Sequence, residues 1–284
     1  AHVGLAGELR DPVDRVRARD LVLGATVAMP DGALVRSGGR VVKNVSGYDL
    51  HRMHTGALGA FGVIVEASFK VAPLPAGRRS FALRCTNLEQ ASELAFALWD
   101  EALPLSALAL LSPGAAGMAE LPPDPYVLLE AVGNDAIMKR VADAVKVRAV
   151  LAHASGGIET DSQPWARLRM AAGGNDSVVL RLGVPASQVS AAIEEAEGAG
   201  CTAWGYLAAG AVLASAPTLP PEEVVRLRSY ARSLGGFLQV ESADASLRAD
   251  VDPCGEGDAL LVRALKAQFD PRGTINRGRW MEAL

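Results

Sequence analysis

Gly56, Gly59 and Gly62 recur at strict three-residue spacing and run straight into Val63-Ile64-Val65, an apolar β-branched stretch. Neighbouring positions without a Cβ let another backbone, or a large flat ligand, come close. The β-branched run behind them predicts a stiff strand that holds that backbone still. Ahead of them lies a polar turn, Lys43-Asn44-Val45-Ser46-Gly47-Tyr48-Asp49. The glycines enter a strand rather than leave one for a helix, so this is no dinucleotide fingerprint. On the glycines alone, a cofactor-facing loop and a tight helix-to-strand connection both stand.

A second chemistry-bearing segment lies near the C-terminus, Phe269-Asp270-Pro271-Arg272-Gly273-Thr274-Ile275-Asn276-Arg277-Gly278-Arg279. Asp-Pro and Gly273 predict a turn, and Asn276 offers a carboxamide that both donates and accepts. By composition it also reads as an ordinary tail. His51 and His54 stand at i, i+3 and suit a base or half a metal site. Without a third ligand they read better as surface residues of a short helix. Asp49 reads as the cap of that helix and Tyr48 as a core residue. His2 lies at the terminus and His153 in a loop, and neither completes a catalytic set.

Composition narrows the classes. The 284 residues are half hydrophobic, enough for one large core or two ordinary domains. Thirty-two acids against 28 bases give a net charge of −4, so nothing electrostatic points to nucleic acid. The basic cluster from Arg10 to Arg19 is interleaved with Asp11 and Asp14 and reads as a solvated face. Cys85, Cys201 and Cys254 lie far apart with no C-x-x-C spacing. That pattern predicts neither an iron–sulfur cluster nor a structural zinc in this chain, and it suits a reducing compartment. No apolar run approaches the roughly 18 residues that span a bilayer.

The elements that would position these groups fall into two textures. Residues 1–75 are rich in glycine and β-branched residues, with strands expected at 21–27, 34–36, 40–42 and 63–71. Pro30-Asp31-Gly32 predicts a reversal between the first two. A short helix over 50–55 should stop at Gly56. Beyond Pro73-Leu74-Pro75 the pattern turns to strand–helix alternation, with helices expected over 88–101, 135–147, 186–197, 221–234 and 259–269. Strands are expected over 80–84, 105–111, 126–132, 177–182, 202–206, 211–215 and 237–241. Residues 153–176 read as a mobile middle. Each half of this region runs strand, helix, strand, strand, helix, as in two βαββ units with helices on one face of an antiparallel sheet. The other face would then be free to cover the first domain as a lid.

Taken together, Lys43 to Leu50, Gly56-Ala57-Leu58-Gly59-Ala60-Phe61-Gly62-Val63-Ile64 and the tail resemble the FAD-linked oxidases of the vanillyl-alcohol oxidase type. Gly4-Leu5-Ala6-Gly7, Arg19-Asp20-Leu21-Val22-Leu23-Gly24 and Leu265-Lys266-Ala267-Gln268 strengthen the match. Within the family they are similar to the small FAD-binding subunits of bacterial glycolate-oxidising complexes. The resemblance implies an α+β chain: the C-terminal half of a PCMH-type FAD-binding domain over 1–75, and an α+β lid with antiparallel sheet over 76–258. A C-terminal helix and tail over 259–284 would return to the FAD domain.

It further implies an FAD-dependent oxidoreductase subunit acting on CH–OH groups, oxidising glycolate to glyoxylate beside a larger flavin subunit and an iron–sulfur subunit. FAD contacts would come from Gly56, Gly59, Gly62, Val63, Ile64 and Asn276. No metal is implied, and this chain alone would not turn over substrate. The implied location is cytoplasmic, peripheral at the inner membrane through the partners. The family's pyrophosphate loop would precede residue 1, and without it weak FAD binding is expected. The alternatives are an assembly subunit that has lost the cofactor, or an N-terminally truncated fragment. Arg277, where the family carries proline, is expected to loosen the tail.

Overall fold

A computed structural model describes residues 18–40, 48–71, 75–160, 163–172, 178–252 and 259–277. Expectations on Lys43–Gly47, on the opening Gly4–Gly7 and on most of the basic cluster lie outside these residues. So do Cys254, His2, Gly278 and Arg279. The chain divides into two compact units, one formed by Val16–Pro73 with Asp252–Leu284 and one by Leu74–Val251.

The first unit opens with the short helix α1 (Ala18–Leu21) and a hairpin of β1 (Val22–Ala28) and β2 (Leu34–Gly38). Its turn forms as Pro30-Asp31-Gly32 predicts. Met29 N donates to Ala33 O at 2.8 Å, and Asp31 Oδ1 accepts from Ala33 N at 2.9 Å. After α2 (Leu50–His54), β3 (Val63–Phe69) pairs antiparallel on the other side of β1, giving the order β2-β1-β3.

The second unit is one eight-stranded antiparallel sheet among the described residues, order β11-β8-β10-β9-β5-β6-β4-β7. Its elements run β4 (Gly77–Arg84), α3 (Leu88–Asp100), β5 (Leu105–Leu111), α4 (Pro113–Met118), β6 (Tyr126–Gly133), α5 (Asp135–Leu151), β7 (Ser155–Thr160) and α6 (Gln163–Ala171). They continue with β8 (Val178–Gly183), α7 (Val189–Gly198), β9 (Thr202–Tyr206), β10 (Ala211–Ala216), α8 (Pro221–Ser233), β11 (Phe237–Ser242) and α9 (Ala245–Asp250). Each half is thus completed by a fourth strand, β7 or β11. The halves join edge to edge where Ala109, Leu110 and Leu111 of β5 face Tyr206, Gly205 and Trp204 of β9.

Period-two alternation decides which residue meets which layer. Leu108 and Leu110 of β5 join Leu94 and Leu98 of α3 and Leu129 of β6 on one side. Ala107, Ala109 and Leu111 join Leu128, Trp165 and Trp204 on the other. That second layer corrects the expectation of a sheet face left free, because Ala115 and Ala116 of α4 and Trp165 and Leu168 of α6 pack on it. Residues 153–176 are not a mobile stretch throughout. They hold β7 and α6, and His153 lies in the turn between α5 and β7, with its N donating to Val150 O.

The last helix, α10 (Ala259–Phe269), belongs to the first unit. Val262, Leu265 and Phe269 of α10 pack on Ala57, Ala60 and Phe61, which follow α2. The second unit's stretch Leu74–Val251, about 180 residues, therefore separates in sequence two segments that share one small core, a loop-closure cost that grows only logarithmically with length.

Candidate functional site

Helix α2 is too short to be stable by itself, so its position comes from what it buries. His51 and His54 are 3% and 8% exposed, which corrects their reading as surface residues. The i, i+3 spacing puts both rings on the inner face. Ser37 Oγ of β2 lies 3.3 Å from His51 Nδ1 and accepts from His51 N at 3.1 Å. Ser37 thereby does the capping expected of Asp49. Asp49 has ψ +54°, not the extended backbone a capping residue needs, and its side chain makes no cap bond. Its carboxylate instead lies 3.5 Å from Arg52. Tyr48, expected in the core, is 90% exposed, because the chain reaches α2 with only its carbonyl turned inward, to Ser37 Oγ. His54 packs edge-on against Phe269, and its Nδ1 has no hydrogen-bond partner among the described residues. Burial lowers its pKa below the ordinary histidine value.

Thr55 ends the helix, with its N and Oγ1 both donating to His51 O, and Gly56 follows at φ +85°. From there the chain turns tightly. Leu58 and Gly59 are also left-handed, at φ +50° and +73°. The three glycines meet different surroundings. A Cβ at Gly56 would meet nothing within 4 Å. At Gly59 it would lie 2.6 Å from Asn276 Nδ2, and at Gly62 2.6 Å from Val27 Cγ1 and 3.4 Å from His54 Cε1. Beyond Gly62, Val63 and Ile64 are 51% and 38% exposed.

The tail reaches this turn from α10. Asp270 N donates to Lys266 O, and Gly273 at φ +57° closes the reversal. Asp270 Oδ1 accepts from Thr274 N and Oγ1, each at 2.8 Å, and Oδ2 accepts from Ile275 N at 3.0 Å. Lys266 Nζ donates to Ala60 O at 2.9 Å and Ile275 O at 2.7 Å, and lies 2.8 Å from Asp270 Oδ2. Burial alone would raise the Asp270 pKa. The Lys266 ammonium and the Thr274 and Ile275 donors outweigh it and hold the carboxyl well below the usual range. Arg277 does not loosen the turn: its guanidinium donates back to Gly273 O and Arg272 O. Asn276, left-handed at φ +47°, donates from Nδ2 to Leu58 O.

Gly56, Gly59, Gly62, Val63, Ile64 and Asn276 therefore occupy one neighbourhood, with backbone groups and one carboxamide beside an apolar strand. Sequence reasoning missed Lys266 and Asp270, the buried pair that ties the tail down. Their i, i+4 spacing was the available signal, but it ordinarily marks an exposed surface pair. Among the described residues no group of three or more His, Cys, Asp or Glu is placed to hold a metal. Cys85 and Cys201 are buried free thiols pushed up to about 11 by burial.

No protein-family profile matches the chain. It is 29% identical over 283 residues to glycolate oxidase subunit GlcE of Escherichia coli, covering 97% of this chain and 69% of that one. Two solved structures share its fold. Alkyldihydroxyacetonephosphate synthase matches at TM-score 0.61 and 13% identity, over 95% of this chain and 56% of its own. p-Cresol methylhydroxylase matches at TM-score 0.54 and 16% identity, over 88% and 63%. By fold the chain is similar to these two enzymes, and by sequence it is similar to glycolate oxidase subunit GlcE.

Proposed function

We propose that the chain is the FAD-binding subunit of a multi-subunit oxidase of a small 2-hydroxy acid, with glycolate, oxidised to glyoxylate, as the first substrate to test. The carrying observation is the return of the tail onto the glycine turn, sealed by Asn276 to Leu58 O and Lys266 to Ala60 O. Similarity over 97% of this chain to a glycolate oxidase subunit, of which it spans 69%, supports the substrate class. The residues suit a flavin. Gly56 opens onto free space, Val63 and Ile64 offer exposed apolar surface, and Asn276 presents a carboxamide able to bond polar ring edges. When bound, FAD supplies the two-electron acceptor for the hydroxy acid. This chain's residues would position it and exclude water. A larger flavin subunit and an iron–sulfur subunit are the proposed partners. No described helix is long and apolar enough to cross a membrane. The proposed location is cytoplasmic, attached at the inner membrane through those partners.

One observation favours a second reading. Asn276 already fills the space at Gly59, and Val27 with His54 fills it at Gly62, so packing alone accounts for two of the three glycines. An assembly subunit without cofactor would look the same there. Titrating the full chain with FAD while following thermal unfolding separates the two. A ligand bound only by the native state at 100 times its Kd adds about 2.7 kcal/mol. The flavoprotein reading expects a rise of several degrees in melting temperature. An unchanged temperature at saturating FAD, with retained binding to a larger flavoprotein partner, supports the assembly reading.

A further inference from the structure

We propose that Lys266 and Asp270 form a latch, a pair of positioning residues that sets the geometry of the flavin site. The inference rests on the functional reading above and deepens it. Lys266 is 5% exposed and Asp270 2%. A buried ammonium is tolerated only when its protons are matched, and here three acceptors stand at 2.7–2.9 Å: Asp270 Oδ2, Ala60 O and Ile275 O. The carboxylate is equally well matched by Thr274 and Ile275.

What the latch holds is strained. Leu58 and Asn276 both carry left-handed backbone, and they are bonded to one another. Asparagine adopts that conformation readily, but at Leu58 it persists only where the surroundings over-determine it, and such residues gather at ligand clamps. Lys266 grips the chain two residues after Leu58 and one residue before Asn276. A single ammonium thus fixes both halves of the bonded pair. Fold stability alone is a poor reason for such a group, because a buried ion pair is often matched or exceeded by apolar residues of similar size. Its distinctive contribution is the alignment of two segments about 200 residues apart.

The test uses the purified full chain, with Lys266→Met, the apolar double variant Lys266→Met/Asp270→Leu, and Leu168→Ala as a packing control in the other unit. Hydrogen exchange is read over residues 56–62 and 272–277, and FAD affinity by quenching of flavin fluorescence. The expected result is at least tenfold faster exchange in both segments, and at least tenfold weaker FAD binding, in both latch variants. Leu168→Ala should lower thermal stability and change neither. The double variant keeps the test decisive if Lys266→Met does not fold. Unchanged exchange in either folded latch variant overturns the proposal, as does an equal loss of FAD affinity in Leu168→Ala. If the wild type binds no FAD, the functional reading fails, and the exchange comparison decides the latch by itself.

Discussion

Replacing each glycine of the turn with alanine should separate ligand approach from protein packing. All three have positive φ, so an added Cβ costs about 1–2 kcal/mol of backbone strain, offset by roughly 0.4–1 kcal/mol from a stiffer unfolded chain. Gly56→Ala meets nothing within 4 Å, so that balance is its whole effect, a loss of about 1 kcal/mol or less. Gly59→Ala also runs into Asn276 Nδ2 at 2.6 Å, the end of a side chain that can move only by giving up its bond to Leu58 O. Losing that bond adds about 1 kcal/mol. Gly62→Ala presses on Val27 Cγ1 at 2.6 Å and on the Ala28 carbonyl at 3.2 Å, where β1 leaves little room, and should cost about 3 kcal/mol, as overpacking does. Urea unfolding of the full chain and its variants measures the series. Combining Gly59→Ala with Asn276→Ala should cost about 1 kcal/mol less than the sum of the two single losses, since both give up the same bond to Leu58 O. FAD affinity should follow a different order. Gly56→Ala, nearly silent in stability, should weaken binding clearly, because its Cβ points into open space. Equal stability losses at the three positions, or fully additive losses in the double variant, would refute this reasoning.

Three further outcomes follow from the same unit and its neighbour. His54 is held neutral by burial, so the unfolded chain takes up its proton first, and stability should fall as pH drops below the ordinary histidine value; His54→Leu should flatten that slope in denaturation curves between about pH 6.5 and 5. Asp270 has its pKa lowered in the fold, so its contribution is complete above the ordinary carboxylate value and drains away as pH falls below it; in Asp270→Asn this part of the acid limb should vanish, along with about 3 kcal/mol at neutral pH from the unpaired Lys266 ammonium. Cys85 and Cys201, both pushed up to about 11, should resist iodoacetamide at pH 8 in the native chain and label fully in denaturant, as read by peptide mass spectrometry.

Much of the fold was legible where local signals were strong. Leu105–Leu111, Thr202–Tyr206 and Ala259–Phe269 form over the expected residues, and α8 begins at Pro221 and stops short of Gly235, whose φ is +74°. The misses share a cause: weak local pattern rescued by tertiary packing. β7 carries Gly156-Gly157, which lowers strand propensity, yet it pairs with β4. Helix α4 contains two glycines in six residues, and only its Ser112 cap and Pro113 start announced it. Helices α6 and α9 are short and similarly quiet. The site was harder. Gly56 to Ile64 and Asn276 stand out by type and spacing. Burial of His51 and His54 involves Ser37 and Phe269, neither adjacent in sequence. The latch was hidden because Lys266 meets Ala60 across 206 positions of sequence.

The proposed function requires that the glycine turn and the tail together hold FAD. Hydrogen exchange of the full chain with and without saturating FAD measures this most directly. Slowed exchange concentrated in residues 56–64 and 274–277 is the predicted result. FAD binding that protects only residues 76–251, or exchange unchanged at both segments, would contradict it.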